Sequence, residues 1–174
     1  MSSKYLRLYT SVWRDDDFRR LTQADQQTYL VIACSEDMSW AGVAPLFPAR
    51  YIAAKDATTA KVAKSIKALQ KGRFLVVDEG TGEVMVRAFI RASGLLTQPN
   101  VIKAMCREAA KVHSDAISSV VRAEVRRGVE ELLADPPNSK WNGGVPSSTW
   151  KPVGDAFGGD LLAGLPLHEE SIGG

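Results

Sequence analysis

The periodicity of this chain changes sharply at Gly72, and that change limits the folds open to it more than any other feature. Before Gly72, residues 58 to 71 follow helical spacing. At about 100° per residue, Val62, Ile66 and Leu69 cluster on one side, while Lys61, Lys64, Lys67 and Lys71 occupy an arc of about 120° opposite. After Gly72 the run RFLVVDEGTGEVMVRAFI holds two β-rich stretches around a turn containing Gly80 and Gly82, the pattern of a β-hairpin. A helix with one apolar and one cationic face therefore runs straight into a hairpin.

The elements before it fall into a recognisable order. Thr22 with Asp25 forms a capping-box pattern, and Leu21, Ala24, Thr28, Tyr29, Ile32 and Ala33 continue at helical spacing, which predicts a helix over about 22–34. Val43 to Phe47 is short and apolar, as a small strand would be, and Pro48 suits the first position of a second helix over about 48–55. Asp56, Ala57 and Thr58 break the chain before the basic helix. Upstream, KYLRLYTSVW reads as a short strand or an extended arm. Asp15, Asp16 and Asp17 read as the acidic start of a helical turn, since adjacent carboxylates do not converge on one metal ion unless the backbone folds around it. Downstream, helices are expected over about 100–112, begun by Pro99, and about 115–134, capped by Ser114. Ile117, Val121, Val125, Val129 and Leu132 form an apolar stripe on the second.

From Pro136 onward, prolines and glycines interrupt any regular pattern, and a disordered tail is expected. The expected fold is α+β and mostly helical. It consists of a winged helix-turn-helix over residues 1–97, a C-terminal helical extension over 98–134, and the tail over 135–174.

Apolar residues make up 45% and charged residues 24% of the chain, which is the balance of a globular protein. Tyr29 to Cys34 is far shorter than the ~20 apolar residues of a membrane span, and no secretory pattern opens the chain, so a cytoplasmic protein is expected. Cys34 and Cys106 lie in apolar helical contexts and are expected as two reduced core thiols; no metal-ligand spacing surrounds them. The net charge of +2 hides an asymmetry: residues 1–134 carry 20 basic and 15 acidic side chains, the remainder 2 and 5. Between Arg50 and Arg73, seven cations face only Asp56. Such a segment suits an anionic partner, nucleic acid first among them.

The order helix, strand, helix, turn, basic helix, hairpin assigns the third helix to the major groove of double-stranded DNA. The candidate contacts are Lys61, Lys64, Lys67 and Lys71, the hydroxyls of Thr58, Thr59 and Ser65, Arg50 ahead of them, and Arg73 and Arg87 at the hairpin base. The face has no Arg, Asn or Gln at its centre, and these are the usual bidentate readers of bases. The hairpin tip, Asp78 to Glu83, carries three acids and should avoid phosphate. No catalytic set accompanies this: His113 and His168 lack a neighbouring nucleophile in a recognised setting, and no phosphate loop follows a strand. No enzyme, cofactor or metal is expected.

The run YLRLYTSVWRDDDFRRLTQADQQTYLVIACSEDMSWAGVAPL, with the basic helix, KGRFLVVDEGTGEVMVRAFIR and QPNVIKA, resembles the helix-turn-helix proteins of actinobacterial phages over about residues 4–134. These are similar in turn to the N-terminal winged helices of phage replication-initiation and DnaD-like replisome-organiser proteins. The resemblance implies DNA binding in replication initiation or transcriptional regulation, within the host cytoplasm. Replisome organisers usually add a second helical domain, which this pattern lacks, so the two roles stand level. The alternative is a winged-helix protein-protein module that binds a host factor, through the 115–134 stripe or through the tail with Trp141 and Trp150. Where that stripe is not satisfied within its own domain, it would supply a homodimer contact.

Overall fold

The computed structural model describes residues 10–55, 58–92, 94–135 and 147–166. Among them are eight α-helices and one small antiparallel sheet. In chain order these are α1 (Asp16–Arg19), α2 (Gln23–Ala33), β1 (Val43–Pro45), α3 (Pro48–Lys55), α4 (Thr59–Lys71), β2 (Leu75–Asp78) and β3 (Glu83–Val86). There follow α5 (Phe89–Ala92), α6 (Pro99–Ala109), α7 (Asp115–Ala134) and α8 (Ser147–Phe157). The sheet runs β1-β3-β2, with Met85 opposite both Val43 and Val76.

Helix starts are set by side chains that satisfy the orphan N–H groups of the first turn. The Asp15 carboxylate accepts from the N–H groups of Asp17 (2.9 Å) and Phe18 (3.1 Å), and Asp16 and Asp17 pair with Arg19 and Arg20. The acidic triplet is thus a cap and a first turn. Thr22 accepts from Asp25 N–H at 3.2 Å and donates its hydroxyl to that side chain at 2.7 Å. Thr58 and Ser114 cap α4 and α7 in the same way. Each such cap stabilises its helix by about 1 kcal/mol.

The end of α4 shows how a sequence signal can be right for another reason. Gly72 lies in right-handed conformation, and the left-handed residue is Arg73, at φ 62°. The N–H of Phe74 bonds to the carbonyl of Leu69 and that of Arg73 to the carbonyl of Gln70, which together form a Schellman cap. Gly72 is required by space: a Cβ there would sit 2.9 Å from the Phe74 ring.

The three strands form a wall buried on both faces. Val84 and Val86 of β3 and Ala44 of β1 face one way, into a core with Phe18, Tyr29, Ile32, Tyr51, Val62, Ile66 and Leu69. Met85 and Val43 face the other way, into a second core with Ile90, Leu96, Ile102, Met105, Ile117, Val121, Val125 and Val129. Alternation along the strand sends successive side chains to opposite faces. With both faces covered, the segment reads as a continuous apolar run. In the first core, Phe18, Tyr29 and Phe74 form a triangle of edge-on rings with centroids 5.3–6.1 Å apart.

Several expectations are corrected. Of the expected N-terminal strand or arm, Thr10–Arg14 is a 3₁₀ turn, and residues 1–9 lie outside the described residues. The second hairpin strand stops at Val86 because α5 begins at Phe89. Cys106 is buried, but Cys34 ends α2 at the surface. Residues 147–166, expected within the disordered tail, form α8 and a 3₁₀ turn that complete the second core, with Trp150 1% and Val153 0% exposed. Arg122 clips this segment through the carbonyl of Phe157 and, at 2.7 Å, the carboxylate of Asp160; Arg126 reaches the carbonyl of Leu161 at 2.6 Å. Trp141 lies outside the described residues. The apolar stripe of α7 is likewise spent within the chain, since Ile117, Val121, Val125 and Val129 are buried and Leu132 packs beside them. That stripe is therefore not free to form the expected homodimer contact. No helix among the described residues is long and apolar enough to cross a membrane.

Trp150→Ala should destabilise the protein by about 3–5 kcal/mol in denaturant titration, as truncation of a large buried ring does. Trp150→Phe should cost much less, because its ring stays buried and the indole N–H, which finds no acceptor among the described residues, is removed. Truncation after Asp135, which the sequence pattern would tolerate, should expose the second core and lower the melting temperature steeply. Arg73→Gly should raise stability by about 0.5–1 kcal/mol, since a left-handed residue with a Cβ is strained by about 1–2 kcal/mol and glycine gives back part of that in the unfolded chain.

Candidate nucleic-acid interface

α4 is held by its apolar face and free on its cationic one. Val62, Ile66 and Leu69 are 1%, 8% and 0% exposed and pack into the first core, against elements that include α2 and α3. Lys61, Lys64, Lys67 and Lys71 are all exposed, and none is ion-paired with a described residue. Arg73, directly after the helix, is exposed too. Asp56, the lone acid of this stretch of sequence, lies outside the described residues.

The remaining candidates fare differently. Ser65 is 3% exposed and on the packed side of α4, because at 100° per residue it falls only about 40° from Leu69 around the helix; it is withdrawn from the cationic face. Thr58 is exposed, but its hydroxyl is occupied as the cap, accepting from Lys61 N–H at 3.4 Å. Thr59 is exposed. Arg50 on α3 pairs with Asp37 and stacks over the Phe47 ring, 5.0 Å from its centroid. Arg87 turns toward Glu124 of α7, 3.6 Å away, and is only a quarter exposed. Sequence reasoning passed over Gln70, an exposed amide on the last turn of α4. Its position flanking Lys67 around the helix was the available signal.

The hairpin acids serve the fold. Asp78 accepts from the N–H groups of Gly80 (2.9 Å) and Thr81 (3.3 Å), closing the turn. The Ser114 hydroxyl first, then these N–H groups, hold its carboxyl below the ordinary value. Glu83 accepts from the N–H groups of His113 (3.1 Å) and Ser114 (2.8 Å), at the N-terminus of α7. Burial disfavours its charged form, but those N–H groups outweigh burial and its carboxyl also lies below the ordinary value. Among the described residues, no three His, Cys, Asp or Glu side chains gather into a group that could hold a metal ion.

A carboxylate whose folded pKa lies below its unfolded one stabilises the fold above the unfolded value, and this contribution is lost as pH falls through the folded one. Glu83→Gln should therefore cost about 1 kcal/mol at pH 7. The difference from the parent should fade as pH drops below about 4.5, as read from chemical denaturation across pH 2.5–7. Comparison of the chain with protein-family models, with curated proteins and with solved structures gives no match to any of them.

Proposed function

We propose that this chain is a non-enzymatic, double-stranded DNA-binding protein of winged helix-turn-helix type, with α4 as the helix that enters the major groove and the β2–β3 hairpin as the wing. One observation carries the reading. Four lysines project from the exposed side of α4, opposite Val62, Ile66 and Leu69, without an ion pair to any described residue. Charge on a helix surface can be balanced by neighbouring acids at i±3 or i±4, as on α7, where Arg126 pairs with Glu130. An unbalanced cationic stripe is the electrostatic complement of a phosphate backbone.

The element order supports the reading, because β1 falls between α2 and α3 and pairs with β3, so the first and second helices are tied to the hairpin that follows the third. By the sequence resemblance, the role is replication initiation or transcriptional regulation in a phage-infected cell. The competing protein-binding reading loses two of its surfaces, since the α7 stripe and Trp150 are both core.

Replacing Lys61, Lys64 and Lys67 together with Ala should leave the fold intact, as alanine favours helix and the positions are exposed. Affinity for duplex DNA should fall, and the slope of log affinity against log salt should shrink by roughly 0.9 per lysine, somewhat under 3 in all. A folded triple variant with unchanged affinity and slope would retire the proposal.

A further inference from the structure

This inference rests on the DNA-binding reading and concerns what the α4 face can distinguish. The side chains that the sequence offered for reading bases are largely engaged by the fold itself. Thr58 is occupied as a cap, Ser65 is buried, Arg50 is held by Asp37 and Phe47, and Arg87 is drawn to Glu124. What remains outward on α4 is Thr59 at its start, four lysines, Ala60, Ala63 and Gln70, with Arg73 directly after its last turn.

Their placement sharpens this. The buried residues Val62, Ser65, Ile66 and Leu69 define the inward direction. At 100° per residue, Lys64, Lys67 and Lys71 then lie within about 30° of the opposite, outward direction, with Ala60 among them. Gln70 and Lys61 lie about 90° to either side. The amide is thus on a flank, and the centre of the face holds ammonium groups and a methyl.

An ammonium group is a point charge with three donors and no acceptor. It can pair with phosphate oxygens and with the acceptors of the groove floor, which are guanine O6 and N7, adenine N7 and thymine O4. It cannot receive the amino hydrogens of adenine or cytosine. A donor-only face on long, flexible stems finds the phosphodiester walls of the groove in every sequence, and it lacks the fork that fixes one base.

We infer that the ligand of this face is the phosphate backbone of duplex DNA in any sequence, with guanine, whose O6 and N7 are adjacent acceptors, as the base that gains most in additional contact. The alanines let the helix backbone approach the groove while the lysines reach its walls. Sequence selection, where the protein's role demands it, is then supplied by another element or by a partner.

The experiment uses the full chain and 20-base-pair duplexes labelled for fluorescence anisotropy: A·T-only, G·C-only, mixed, and the best sequence selected from a random library. Each is titrated at several salt concentrations, alongside duplex RNA. All DNA affinities should fall within about tenfold of one another, with parallel salt slopes and the G·C duplex at the tight end. Gln70→Ala should change each by less than about twofold, because a flank amide makes no bidentate pair in this arrangement. Duplex RNA, whose deep, narrow major groove excludes a helix, should bind about tenfold more weakly or worse. A selected sequence bound about 10³-fold tighter than the mixed duplex would overturn the inference, being the range of specific recognition. So would loss of discrimination in Gln70→Ala, or RNA bound as tightly as DNA. In all three cases DNA binding itself would stand. A folded protein that binds no duplex at low salt would overturn the DNA-binding reading as well.

Discussion

The molecule is organised by a sheet of three short strands that has no solvent face. Met85, fully buried, is flanked in sequence by Val84 and Val86, and these point into a different core from its own. An antiparallel sheet ordinarily turns one face to water, and a sheet this small contributes little stability by itself. Here the helices α2, α3 and α4 cover one face and the helices from α5 to α8 contribute the other cover. Each half of the protein uses the strands as its floor, and the cationic helix takes its orientation from them through Val62, Ile66 and Leu69.

The chain after β3 is tied to α7 by an ion cluster around the buried Glu124. Glu124, 2% exposed on α7, accepts from Arg91 Nε at 2.6 Å and faces Arg87 at 3.6 Å, and Arg91 also reaches Glu131 at 3.0 Å. Desolvating such charges offsets much of their attraction, so the net stabilisation is small, whereas an unpaired Glu124 would be strongly unfavourable. The effect is on geometry: the chain just after β3 is held against α7. It also explains why Arg87 and Arg91 contribute less to the external field than the exposed Arg73.

How legible this was depended on how much each element relied on local signals. α2, β1, α3, α4, α6 and α7 were readable because capping residues, Pro48, Pro99 and unbroken apolar spacing all lie within a turn or two of each boundary. The angular argument also placed the α4 lysines outward. Ser65 was misread, since its chemistry suggested a contact while its angular position, about 40° from Leu69, put it inside. Cys34 failed in the opposite way, since its apolar neighbours suggested a core thiol although the predicted helix ended at that residue, where the side chain is exposed. The C-terminal segment was illegible because Pro152 and Gly154 interrupt the text between Trp150 and Phe157. Its place is fixed by long-range packing on α6 and by Arg122 and Arg126, none of which leaves a local trace. The roles of Arg50 and Arg87 were hidden likewise, as their partners lie 13 and 37 residues away.

The two-faced strand β3 has a consequence for how such a protein can change over generations. Val84 and Val86 answer to the helices that carry the cationic face, and Met85 answers to the C-terminal helices, although the three are consecutive codons. A lineage can therefore remodel the C-terminal half through residue 85 and its neighbours in the second core while selection on 84 and 86 keeps α4 in place. Recombination that exchanges one half for another has no clean crossover point inside the strand, so the two halves are expected to be inherited together while drifting at different rates.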